Sequence, residues 1–467
     1  MTEACDLSAT RLSTLFARRA LSPVELLGSV LARLDEAEPL LAACWAIDRE
    51  GALAAARAAE GRWMAGEPLS SIDGISVTVK ELIATKGVAK PMGTAAGDMT
   101  LQDADAPPAA RVREAGAVLF AKTTTPDFGM LSSGLSSFHK LARNPWDLSK
   151  SPGGSSTGAG SAAAAGYGPL HIGTDIGGST RLPAGWCGIF GFKPSFGRVP
   201  IDPPYMGRVA GPMTRTVADS ALLMSILSRP DPRDYMSLPP ADLPWERLER
   251  DLKGLRIGLM LDAGCGLAVD PEIRDATIAA AQLFADAGAI VEPVGPFFTR
   301  AMLDGIDIFW RARFFDQMTA LPEDRQALIL PYIRQWVEPA RGYSGAQVYR
   351  GSEAFMQIRE KGRDAFAPFD FMLSPTAPVA AFPAEYASPV NDPTRPFEHI
   401  GFTVPWNMTE QPAASINCGY TAAGLPIGLQ IVGRRFDDAG VLQVSHAYEQ
   451  MRPAQRPWPE PWKDSAE

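Results

Sequence analysis

The stretch from Ser151 to Leu182 is unusually rich in glycine, serine and alanine, and it constrains the fold more than any other part of this chain. From Thr157 to Ala165 nearly every residue is small, so a helix there has no side chains to hold it off a neighbouring sheet. Gly153 and Gly154 let the preceding backbone turn in ways a side chain forbids. The helix N-terminus then lies beside Ser155 and Ser156 and brings a positive dipole end to that pair. The short apolar run PLHIG reads as a strand feeding a second turn, Asp175-Ile176-Gly177-Gly178-Ser179. Two glycines ahead of a serine allow consecutive backbone N–H groups to point into one small space, as an oxyanion hole requires. Taken alone, that turn reads as an ordinary glycine turn.

A serine hydroxyl needs a base to act as a nucleophile. Of the histidines His139, His171, His399 and His446, only His171 is near Ser179 in sequence, and a strand residue upstream need not face the site. All four are expected to be structural. Lys80 ends the β-branched strand ISVTVK (75–80), which can carry its amine into the interior. Burial disfavours the ammonium, and a neutral lysine accepts a proton. Gly154-Ser155-Ser156-Thr157-Gly158 matches the G-x-S-x-G elbow in letters. That elbow demands a buried strand before it, and NPWDLSKSP is polar and contains prolines. Gly264-Cys265-Gly266 lacks the third glycine of a dinucleotide fingerprint and reads as a turn, and no Walker motif is present.

Along the chain, Ser22-Pro23-Val24-Glu25 is a capping box that opens a helix, and the first sixty or so residues look helical. AVLFAKT (117–123) reads as a strand. Residues 229–245 carry five prolines and fit a surface connection between two halves. LRIGLML (255–261), a helix opened by Asp270-Pro271, and AIVEPV (289–294) form a βαβ signature. The aromatics of 297–371 (Phe297, Phe298, Phe309, Trp310, Phe314, Phe315, Trp336) are expected on helices packed against a sheet, with a pocket wall as the alternative. FDFMLSPT (369–376), AASINCGY (413–420) and LPIGLQIVG (425–433) read as closing strands.

A net charge of -9 over 467 residues gives no attraction for nucleic acid or anionic lipid. The five scattered cysteines form no CxxC pair or Cys/His cluster for a metal, and reduced thiols used as small apolar residues are expected. The start, MTEACDLSATRL, lacks the basic end and apolar run of a signal peptide, and no window is apolar enough to cross a bilayer. A cytoplasmic location is expected.

The chain resembles the amidase signature family. The resemblance rests on DGISVTVKELIATKG (73–87), NPWDLSKSPGGSS (144–156), GTDIGGSTRLPAGWCGIFGFKPSFGRVP (173–200) and GPMTRTVADSALL (211–223). It extends to FDFMLSPTAPVAAFP (369–383) and NMTEQPAASINCGYTAAGLPIGLQIVGR (407–434), and is weakest across 296–365. It implies one α/β domain over 1–467, with a central mixed twisted β-sheet covered by helices on both faces. Within it, 1–65 are helical, 70–225 form the catalytic core, and 250–467 supply pocket helices and closing strands. The resemblance makes Ser179 the acylated nucleophile, Ser155 (held by a cis peptide bond) the bridging proton carrier, and Lys80 the base. It assigns the backbone N–H groups of Ile176, Gly177, Gly178 and Ser179 to the oxyanion hole, and Asp175 and Arg181 to bracing the nucleophile turn. Met130, Leu131 and Thr174 are further candidates for the substrate pocket. No metal or cofactor is required, and a homodimer is compatible with the family.

Some positions depart from the family pattern. Thr157 stands where a third glycine is usual, Glu410 where glycine is common, and SSFHKLARNPW lacks a Phe-Gly before Asn-Pro-Trp. Thr157 and Glu410 are expected to alter pocket shape. The expected activity is hydrolysis of a small, hydrophobic or aryl amide through a serine acyl-enzyme. One alternative is the glutaminase subunit of a tRNA-dependent amidotransferase. That subunit usually reads GSDTGGSIRQPA, where this chain has GTDIGGSTRLPA. Another is a non-catalytic binding protein on the same scaffold, against which the presence of all three relay residues counts.

Overall fold

In the computed structural model, which describes residues 3–464, eleven strands form one mixed sheet flanked by helices. The first are β1 (Cys44–Trp45), β2 (Ser76–Lys80), β3 (Val118–Thr123), β4 (Leu170–Asp175), β5 (Phe190–Lys193) and β6 (Val209–Thr214). β7 (Arg256–Leu259), β8 (Ile290–Pro293) and β9 (Phe371–Pro375) precede the closing pair β10 (Ala413–Tyr420) and β11 (Pro426–Gly433). Their spatial order is β1-β3-β2-β4-β6-β5-β10-β11-β9-β7-β8. Parallel pairing joins β3, β2 and β4 on one side and β9, β7 and β8 on the other, with antiparallel pairs between them. Parallel neighbours need a crossover. The helix Pro107–Glu114 lies between β2 and β3, and Pro271–Asp286 completes the expected βαβ unit between β7 and β8. β2 and β4 are buried at every position, as strands covered on both faces must be.

The small-residue segment forms the helix Thr157–Ala165, and it sits as close to its neighbours as its composition allows. A Cβ on Gly158 would meet Ala43 O at 2.0 Å and Thr124 N at 2.5 Å. At the N-terminus, the helix Pro23–Leu41 opens with both capping-box bonds, Glu25 N–H to Ser22 Oγ (3.1 Å) and Ser22 N–H to Glu25 Oε2 (2.8 Å).

The 297–371 region differs from the expectation of helices packed on the sheet. Arg300–Thr319 and Gly345–Phe366 pack on each other where Gly305 and Gly351 meet: a Cβ on Gly351 would lie 2.8 Å from Gly305 O. Most aromatics of this region gather in a separate apolar cluster, with Trp310 and Trp336 both edge-on to Phe397 (5.1 and 5.0 Å between centroids), while Phe366 packs with Met372 and Val432 of the sheet. No helix among the described residues is long and apolar enough to cross a membrane.

Candidate active site

β2 and β4 run parallel, with Val79 opposite Ile172, so Lys80 and the Thr174–Asp175 pair emerge at the same edge of the sheet. The loop before the helix Thr157–Ala165 enters this edge, and its Gly154–Ser155 peptide is cis. Lys80 Nζ, wholly buried, lies 2.8 Å from Ser155 Oγ, 3.0 Å from Ser156 Oγ and 3.0 Å from Thr174 Oγ1. Burial pushes the amine down to about 7; the Asp175 charge opposes the shift and the Arg208 charge adds to it. A neutral amine has two protons and one lone pair, so one of the three hydroxyls must donate to it. Ser156 Oγ already donates to Thr174 O (3.1 Å) and accepts from Thr174 N–H (3.1 Å). Ser155 and Thr174 remain as donors to Lys80. Thr174, expected in the substrate pocket, therefore holds the amine and does not line the cleft.

The nucleophile turn follows β4. Asp175 and Arg181 form a fully buried ion pair, with Arg181 Nη2 2.9 Å and Nε 3.0 Å from the carboxylate. Burial alone would raise the Asp175 carboxyl, but the Arg181 guanidinium holds it well below the usual carboxylate range. The same carboxylate accepts the Gly178 N–H at 2.9 Å and the Thr180 N–H at 3.2 Å. Gly178, expected to serve the oxyanion hole, instead has its donor committed to Asp175. The N–H groups of Ile176, Gly177 and Ser179 donate to no protein acceptor among the described residues, and those three residues line the cleft where Gly178 does not. Gly178 contributes its φ of +119°, and a Cβ there would press on Thr403 at 2.6 Å.

Ser179 is half-buried, and its Oγ has no hydrogen-bond partner among the described residues. The contact from Ser155 Oγ to Ser179 Oγ is therefore not closed as a hydrogen bond. The two residues are tied through the backbone, Ser156 N–H donating to Ser179 O at 3.2 Å. Catalytic hydrogen bonds are often long before substrate enters.

The cleft beside Ser179 is narrow, a cavity of about 50 Å³, and is walled by Met130, Leu131, Trp310, Phe314, Trp336 and Phe397. The aromatics of the Arg300–Thr319 region thus form a pocket wall. Thr157 donates to Ser133 O (3.0 Å), and Glu410, at φ +66°, is held by Arg359 and Arg435. Neither lines this cleft, contrary to the expectation that they alter its shape.

No histidine contacts Ser179. His171 lies 2.8 Å from Thr78 Oγ1 and 3.0 Å from Gly168 O, and burial pushes its imidazole down to about 4. Lys122 and Lys193 are likewise pushed down to about 7 by burial, but Lys122 Nζ meets Ile83 O and Thr85, and Lys193 Nζ meets Pro194 O. The five cysteines are free thiols.

Sequence reasoning did not find Asn407, Gln430 and Thr403. Asn407 Nδ2 donates to Asp175 (2.9 Å), and Arg181 donates to Asn407 Oδ1 (2.7 Å), Gln430 Oε1 (2.7 Å) and Thr403 O (2.9 Å). Nor did it find Arg313, a cleft-wall residue. Arg208 and Arg313 lie far apart in sequence, and the fold brings their charges within reach of each other.

Comparison with known proteins gives a consistent result. The amidase family model matches residues 25–442. The chain is 35% identical over 488 aligned positions to a glutamyl-tRNA(Gln) amidotransferase subunit from Chloroflexus aurantiacus, covering 97% of this chain and 98% of that protein. Among solved structures it is similar to a bacterial aryl acylamidase of the amidase signature enzymes (TM-score 0.88, 28% identity, 96% of each chain). It is also similar to a 6-aminohexanoate cyclic dimer hydrolase (TM-score 0.86, 26% identity, 98% of this chain and 99% of that one).

Proposed function

This chain belongs to the amidase signature family and is a hydrolase of carbon–nitrogen amide bonds, and from that premise we propose that it cleaves small amides through an acyl-enzyme on Ser179. The observation that carries this reading is the buried Lys80 amine at 2.8 Å from Ser155 Oγ, beside the turn that bears Ser179. Ser155 donates its hydroxyl proton to Lys80, which leaves an oxygen lone pair open to the Ser179 proton. When the amide carbonyl enters the cleft, Ser179 Oγ turns toward Ser155, loses its proton along that path and attacks. The N–H groups of Ile176, Gly177 and Ser179 meet the developing oxyanion. The relay then returns a proton to the leaving amine, and water releases the acid by the same steps in reverse. The apolar and aromatic wall supports an acyl or aryl amide as substrate.

A second reading, the glutaminase subunit of a tRNA-dependent amidotransferase, has direct support from the curated relatives, and at the level of substrate they favour it over an aryl amide. The cleft weighs on the other side. Its lining holds no carboxylate to pair with the ammonium of glutamine. One experiment separates them: the isolated chain is offered anilides, aliphatic amides and glutamine, with rapid-mixing detection of a product burst. A burst with anilides supports the acyl-amide reading. Turnover of glutamine alone would replace it with the glutaminase reading.

A further inference from the structure

One guanidinium group joins the wall of the Ser179 cleft without an ion-pair partner among the described residues. Arg313 lies one turn beyond Trp310 on the helix Arg300–Thr319, and its side chain joins the wall of the Ser179 cleft. Its guanidinium carbon lies over the Tyr205 ring, 3.7 Å from the centroid. Burial raises the Tyr205 hydroxyl above its usual range, and the adjoining Arg313 charge opposes the shift. Arg208, immediately before β6, donates through Nη2 to Pro203 O, while its Nε is buried and unpartnered.

Neither Arg313 nor Arg208 forms an ion pair among the described residues, whereas the more deeply buried Arg33, Arg181 and Arg311 do. The nearby Asp234 carboxylate is already occupied by the N–H groups of Ile201 (2.9 Å) and Met236 (2.8 Å). Burial and then the Arg313 charge push Arg208 down to about 10, and Arg208 in turn lowers Lys90 and Lys80. A chain of net charge -9 thus places a guanidinium without an ion-pair partner in the wall of its active-site cleft. Half-buried guanidinium groups without a carboxylate are unfavourable in the protein alone, and an anionic ligand removes the penalty.

We propose that Arg313 receives a carboxylate of the substrate, so that this enzyme prefers amides with an apolar or aryl body and an anionic end. The assignment rests on the amide-hydrolase reading and narrows it. Planar guanidinium groups suit a carboxylate in two-point contact. The absence of an acidic side chain in the cleft wall selects against a substrate that also carries an ammonium.

Matched amides test this, each with and without a carboxylate. Butyranilide is compared with succinanilate for a carboxylate on the acyl side, and acetanilide with 4-acetamidobenzoate for one on the amine side. Glutamine is the zwitterionic control. The full chain is expected to favour at least one carboxylated member by about tenfold or more in kcat/KM, chiefly through KM. In Arg313→Met that ratio falls toward one, and Arg313→Lys restores part of it. Calorimetry of succinanilate and butyranilide on Ser179→Ala gives the same comparison without turnover. Equal or better handling of the neutral partners, or a preference for glutamine, overturns the carboxylate assignment and leaves amide hydrolysis standing. If no amide is hydrolysed, the underlying reading falls, and the calorimetric ratio still decides whether the cleft selects carboxylates.

Discussion

At the scale of single residues, the chemistry depends on a lysine whose charged form is penalised. Lys80 is surrounded by hydroxyls and has no carboxylate within ion-pair distance, so burial governs its proton affinity. With the folded-state value near 7, the amine is mostly neutral above that pH and increasingly an ammonium below it. An ammonium cannot accept the relayed proton, so kcat/KM should fall on the acid side of about pH 7, by roughly tenfold per unit. A profile measured from pH 5 to 9 that stays flat would remove Lys80 as base. Ser179→Ala should lower kcat by at least about 10⁴-fold and Lys80→Ala nearly as far, while circular dichroism shows the fold retained. A Lys80→Ala enzyme that keeps most of its activity would argue for another base. Lys80 was legible from its β-branched strand end, whereas Ser155 and Ser179 took their roles from the family resemblance, because the glycine turn before Ser179 reads alone as an ordinary turn. Asn407, Gln430, Arg208 and Arg313 were not legible. Their partners lie elsewhere in the chain, and nothing within ten positions of Gln430 marks it as a ligand of Arg181.

At the scale of elements, two tight fits set the geometry. The helix Thr157–Ala165 approaches β1 and β3 so closely that Gly158 N–H donates to Thr124 O at 3.0 Å. Gly158→Ala pushes a methyl group into two backbone atoms that cannot move aside as a side chain would, and it should destabilise the chain by about 2–4 kcal/mol. A urea midpoint equal to that of the parent would show that the helix has slack. The nucleophile turn is fixed by Asp175, whose carboxylate binds the Gly178 N–H, Arg181 and Asn407. Asp175→Asn leaves Arg181 buried without its counter-charge, a loss of about 3–5 kcal/mol in denaturant titrations. Turnover should fall by about 10²-fold as the turn loses its anchor. The helix Thr157–Ala165, read from its run of small residues, and the strand Ala413–Tyr420 fall at the expected bounds. β5 and β6 escaped notice because Gly191, Gly211 and Pro212 interrupt their β pattern, and both strands owe their state to neighbours on either side.

At the scale of the whole molecule, the order of strands interlocks the two halves that the proline-rich 229–245 segment joins. β10 and β11 come from the end of the chain and lie between β5 and β9, so the sheet of the first half is completed only by the second. The site obeys the same constraint. Arg181 belongs to the first half, and its guanidinium is held by Thr403, Gln430 and Asn407 from the second. Separating the halves would open the edge of β5 and strip three acceptors from a buried cation, and each loss is unfavourable. We therefore expect 1–467 to unfold as one unit, with tryptophan fluorescence, far-ultraviolet circular dichroism and labelling of Ser179 by a serine-directed fluorophosphonate lost at the same urea concentration. A fragment of residues 1–228 contains Lys80, Ser155 and Ser179, yet it should neither fold cooperatively nor accept the label. Should that fragment react with the reagent at the rate of the full chain, the nucleophile turn would be self-sufficient, and the long-range bonds around Arg181 would have no part in shaping it.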